Sequence, residues 1–113
     1  MSPSEPSGRL QYVREVLRLY TATPGVLGRV RRADRTLAGQ LFDRRVPLYA
    51  VDYALILAAA RRIQHNAFSA FPMPPVRSLH YFLGVIQEVL QRPPGYHEID
   101  ILREKLATYH PRY

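Results

Sequence analysis

A chain of 113 residues holds one domain and is long enough to fold without covalent staples, and its lack of cysteine excludes disulfide scaffolds, thiolate zinc sites and cysteine nucleophiles. The apolar share of 47% fits a globular chain, and the longest apolar run, Tyr53–Ala60, falls far short of the ~20 residues a bilayer crossing needs. Sixteen basic residues against nine acidic ones leave a net charge of +7, a balance that draws polyanions.

Met1–Gly8 mixes Ser, Pro and Gly without an apolar core. It reads as a flexible tail ahead of a single helical domain over residues 9–113, and not as a secretory signal. The expectation is a small soluble domain of the cytoplasm. From Arg9 the pattern turns helical, with Leu10, Val13, Leu17 and Tyr20 on one face and Gln11, Arg14, Glu15 and Arg18 opposite, up to Pro24-Gly25. Val26–Arg32 reads as a loop. Asp34 is placed as the N-cap of a second helix over about Arg35–Arg45, its inner face Leu37, Ala38, Leu41 and Phe42, with Arg44 and Arg45 favoured by the dipole at its end.

A third helix, about Leu48–Gln64, is apolar nearly all round, as expected of a central helix wrapped by the others, and its alanines allow close approach. His65–Val76 must be a loop because Pro72, Pro74 and Pro75 remove backbone donors; Phe68 and Phe71 are expected to pin it to the core. A fourth helix follows over about Arg77–Gln91, with Leu79, Phe82, Leu83, Ile86, Val89 and Leu90 inward. The fifth runs over about His97–Tyr109, where Asp100 can meet Arg103. No segment alternates at period two. The predicted fold is all-α, a compact bundle of about five helices around the apolar helix 48–64.

Catalytic and metal motifs are missing. The only lysine, Lys105, follows no glycine array, and His97-Glu98 has Ile101 where a second zinc-binding histidine would stand. His65, His80, His97 and His110 form no ligand pair, and Ser78 near a helix start reads as a cap before a nucleophile. No enzyme, metal or cofactor is predicted.

The charge is more informative. Between Arg9 and Arg62 eleven basic residues face Glu15, Asp34, Asp43 and Asp52, whereas from Ile63 onward the signs nearly balance. Fifteen of the sixteen basic residues are arginine, whose planar fork grips phosphate and stacks on bases. A GC-rich genome also favours arginine over lysine, but not basic residues over acids. Arg29, Arg31, Arg32 and Arg35 cluster before the second helix, and Arg61, Arg62 and Arg77 come together if the proline loop folds back. Tyr81 and Tyr49 offer faces for unpaired bases, although packing is the more ordinary role of a tyrosine in a helical domain.

From about Tyr20 to Gln91 the layout resembles the C-terminal domain of DnaD-like primosomal and replication-initiation proteins. The matching pieces are Asp34…Leu41, then Pro47-Leu48…Val51…Ala54, then Ser78-Leu79-His80-Tyr81-Phe82…Ile86. Tyr81 and Val85 take the first two places of that family's tyrosine signature, and Val89 stands where the family has an aromatic. The resemblance implies a nucleic-acid-binding accessory of replication or of a mobile element, without catalysis of its own, acting as a stand-alone module or a subunit. The residues themselves point to DNA or RNA held by its phosphates through Arg29, Arg31, Arg32, Arg35, Arg61, Arg62 and Arg77, with Tyr81 beside them. The alternative is a helical protein–protein interaction subunit of a larger assembly, using the charge and the aromatic loop Phe68–Pro75.

Overall fold

A computed structural model describes residues 4–109, with side chains from Gly8 onward. Five α-helices follow one another: α1 (Ser4–Thr21), α2 (Arg32–Asp43), α3 (Leu48–Ala67), α4 (Leu83–Gln91) and α5 (Tyr96–Ala107). A 3₁₀ turn, Leu79–Phe82, leads into α4. The described residues contain no strand, only an isolated parallel bridge between Val26 and Val76. The fold is all-α, as its periodicities predict. No described helix is long and apolar enough to cross a membrane.

α3 is the central helix. Ala50, Val51 and every residue from Ala54 to Ala59 are buried, and α1, α4 and α5 pack around it. Its alanines let neighbours approach without voids, and Leu37 and Leu41 of α2, Leu79, Phe82, Ile86 and Ile99 complete the core. Tyr20 of α1 is fully buried and meets Phe82 edge-on, ring centroids 6.1 Å apart. Its hydroxyl has no hydrogen-bond partner, and burial, reinforced by the charge of Asp34, raises its pKa. Tyr12, by contrast, donates its hydroxyl to the Val46 carbonyl at 2.9 Å, and burial pushes its pKa up to about 12.

Several expectations need correction. α1 begins at Ser4, so Ser4–Gly8 lie in the helix and not in a tail; Pro6 falls in the first turn, where a helix has no use for its missing N–H. Met1–Pro3 and His110–Tyr113 lie outside the described residues. Leu10 and Leu90 are exposed and do not join the core, Leu90 lying one residue from the end of α4. Phe68 and Phe71 do not reach the core at all, as described below. Arg103 pairs with Asp52 of α3 at 3.1 Å and not with Asp100, because burying Ile99 turns this face of α5 toward α3.

α2 begins at Arg32, so Asp34 is not its cap but the third residue of its first turn. The side chain turns back: Asp34 Oδ2 accepts the Arg31 N–H at 2.9 Å, and Asp34 Oδ1 accepts the Leu79 N–H at 2.9 Å. At 1% exposure this carboxylate links α2 to the 3₁₀ turn from inside. Ser78 does cap that turn, its Oγ accepting the His80 N–H at 3.1 Å. α2 closes with Arg45 in the left-handed region, φ 60°, which any side chain adopts at some cost.

The ion pairs lie on the surface. Arg9 crosses α2 over Gly39, where an added Cβ would meet its guanidinium at 2.4 Å, and reaches both oxygens of Asp43 at 3.0 Å. Arg18 pairs with Glu15 and Arg61 with Glu88. Hydrogen bonding from the arginines holds the carboxyls of Glu15, Asp43 and Glu88 below their ordinary pKa values. Exposed pairs of this kind add little to stability, because water and salt screen them.

Two substitutions test this account by denaturant unfolding. Asp34→Ala leaves the buried Leu79 N–H and the partly buried Arg31 N–H without their acceptor and lowers stability by about 2 kcal/mol. Tyr20→Phe removes an unpartnered hydroxyl and raises stability by about 1 kcal/mol; a loss instead would mean that the hydroxyl has a partner.

Candidate nucleic-acid interface

The segment joining α1 to α2 is shaped by two glycines with positive φ, Gly25 (91°) and Gly28 (81°), a conformation other residues rarely adopt. Between them the chain pairs with the end of the proline loop. The Val76 N–H donates to the Gly25 carbonyl at 2.7 Å, and the Leu27 N–H donates to the Val76 carbonyl at 3.0 Å. This bridge sets Arg77 opposite Leu27–Arg31. Asp34 then fixes the same two segments a second time, through Arg31 and Leu79.

The result is an open cleft of about 340 Å³ lined by Leu27, Arg29, Arg31 and Arg77. Arg32 and Arg35 lie exposed on the first turn of α2 beside Arg31. Among the described residues the ion pairs involve Arg9, Arg18, Arg61 and Arg103, so none of these five guanidinium groups has a carboxylate within 4.0 Å. Both oxygens of Asp34, the nearest acid in sequence, are taken by backbone N–H groups.

Arg61, Arg62 and Arg77 do not form one patch. The loop folds back as expected, but consecutive residues on a helix point about 100° apart. Arg61 turns to α4 and is held by both oxygens of Glu88, at 2.9 and 2.5 Å. Arg62 turns under the loop and is buried, 6% exposed. It donates through Nη2 to the Pro74 carbonyl at 2.5 Å and through Nη1 to the Tyr81 hydroxyl at 3.1 Å, with Met73 Sδ at 3.5 Å. Its Nε has no partner and lies against Gly25, where an added Cβ would stand 3.3 Å away.

Tyr81 thus belongs to the packing. Its hydroxyl serves Arg62, whose guanidinium carbon is 5.3 Å from the ring centroid, and its ring meets Phe82 edge-on at 5.2 Å. Tyr49 is half-exposed and packs edge-on against Tyr53 at 5.4 Å.

Among the described residues the most exposed aromatic side chains are Phe68 and Phe71, 86% and 85% exposed, with Tyr96 of α5 next. Sequence reasoning sent them inward on the general preference of phenylalanine for the interior. Two signals in the sequence oppose that: the residues around them are Ser69, Ala70 and Pro72, and a three-residue spacing has no core register outside a helix.

Among the described residues no three histidine or acidic side chains gather to hold a metal. Comparison with known protein families, with curated proteins and with solved structures finds no match.

Arg61 and Arg62 differ in role, and stability separates them. Arg62→Met keeps an apolar stem but frees the Pro74 carbonyl and the Tyr81 hydroxyl, costing about 2 kcal/mol. Arg61→Gln at the exposed pair changes stability by less than about 0.5 kcal/mol. The reverse order in denaturant unfolding contradicts the assignment.

Proposed function

We propose that this chain is a non-catalytic accessory protein that grips the phosphate backbone of DNA or RNA through Arg29, Arg31 and Arg77 in the cleft, with Arg32 and Arg35 beside it. One observation supports the reading: Arg29, Arg31 and Arg77, from two segments, line one cleft, and among the described residues neither they nor the exposed Arg32 and Arg35 of the first turn of α2 form an ion pair. Like charges brought together in this way favour an anion between them, and a guanidinium offers phosphate two parallel donors. The resemblance to DnaD-like domains supplies the setting, replication or a mobile element; the arginine surface supports the binding alone. The second reading, a subunit of a larger protein assembly, draws on α5, which exposes Tyr96 and Ile101.

Salt dependence is the test. Affinity for a labelled oligonucleotide should fall with log salt by ~0.9 per duplex phosphate contact, or ~0.7 for a single strand. Arg31→Ala with Arg77→Ala should flatten that slope by about 1.5, while Arg61→Gln leaves it unchanged. Absence of binding to duplex and single strand alike at low salt overturns the reading.

A further inference from the structure

Phe68 and Phe71 present two nearly complete rings to solvent, an exposure that forgoes the gain of burying them. The loop that carries them is not slack. Asn66 Oδ1 accepts the Met73 N–H at 2.8 Å, Ser69 Oγ accepts the Phe71 N–H at 3.0 Å, and the buried Arg62 holds the Pro74 carbonyl. Pro72, Pro74 and Pro75 fix their own backbone angles besides. The loop backbone is thus restrained by two exposed hydrogen bonds, by the buried Arg62 and by its prolines, and a ligand that covers the rings has less loop ordering to offset.

The same segment enters the arginine cleft. Val76 is the bridge residue to the Gly25–Leu27 strand of chain, and Arg77 lines the cleft. Phe71 precedes Arg77 by six positions, so the two Cα atoms lie no more than ~22 Å apart. A strand of several nucleotides is long enough to span that separation.

We propose that the nucleic acid is single-stranded, its bases stacking on Phe68 and Phe71 while its phosphates occupy the cleft of Arg29, Arg31 and Arg77. The proposal rests on the phosphate-binding reading above and adds the strand state. Unpaired bases expose π-faces, and stacking one on an aromatic side chain raises affinity by about 5- to 150-fold. A duplex offers no such face unless a step is unstacked, at a cost of a few kcal/mol. Phenylalanine has no polar group to read a base edge, so the contact tolerates any sequence. The unpaired guanidinium groups beside the loop select a polyanion over a neutral apolar partner.

The experiment compares an oligothymidylate with a duplex of equal length by fluorescence anisotropy, using wild type, Phe68→Ala/Phe71→Ala and Phe68→Leu/Phe71→Leu. The rings are exposed, so both double variants should keep the wild-type melting temperature. Expected is a preference of wild type for the single strand. Expected too is a loss of about 30-fold in single-strand affinity in both variants, with duplex affinity and the salt slope unchanged. Duplex and single strand bound equally, with no effect of either variant, overturns the strand assignment and leaves phosphate binding standing; no binding of either overturns both. Full affinity in the leucine variant overturns stacking. Phenylalanine-dependent binding to phosphatidylserine vesicles without a single-strand preference assigns the loop to a lipid surface and overturns the proposal.

Discussion

The candidate site depends on a single buried carboxylate. A charged group in a protein interior is costly unless hydrogen-bond donors answer it, and each oxygen of Asp34 accepts one backbone N–H, from Arg31 three residues before it and from Leu79 far along the chain. Its place in the first turn of α2 adds the favourable end of the helix dipole. The consequence reaches the surface. Both oxygens accept from the backbone and the carboxylate forms no ion pair with Arg29, Arg31, Arg32, Arg35 or Arg77, yet it fixes two of the segments that carry them.

Arg62 is the cationic counterpart on the other side of the same loops. No carboxylate answers it. A carbonyl, a hydroxyl and a thioether do so, which lets the charge lie beneath the proline loop without drawing an acid into the core. Gly25 is required twice over, for its positive φ and for the space its missing side chain leaves to Arg62 Nε. Asp34, Arg62 and the Val26–Val76 bridge thus knit residues 25–31 and 74–81 into one unit seated between helices. These are connecting segments, but their positions are set by interior hydrogen bonds and not by their own local preferences.

What the sequence discloses follows the range of the interactions. The central helix is legible because a helix apolar all round has only one place to go. Ser78 is legible because its partner lies two residues away. Asp34 is half legible: a helix-start role is local and was seen, but the second oxygen binds an N–H 45 residues on, and no local pattern encodes that. Arg61 and Arg62 are equivalent in composition and opposite in fate, since only the packing of α4 and of the loop tells which of two adjacent directions on α3 is outside. Phe68 and Phe71 reverse an interior preference because side chains and prolines anchor their loop by its backbone, leaving the rings no part in holding it.

The charge surplus shows the same distinction. Of the eleven basic residues between Arg9 and Arg62, Arg9, Arg18 and Arg61 are paired and Arg62 is buried, so density along the chain is a poor measure of charge offered to a ligand. Four of the seven others fall within Arg29–Arg35, and the group is completed by Arg77, which lies beyond the basic stretch altogether. Convergence is therefore a product of the fold. Without an anion the guanidinium groups of the cleft repel one another, weakly because water and salt screen them. The buried bonds of Asp34 and the backbone bridge oppose that repulsion from where salt screens little. On the phosphate-binding proposal, an anion entering the cleft meets guanidinium groups whose backbone is already positioned, and its charge relieves their mutual repulsion.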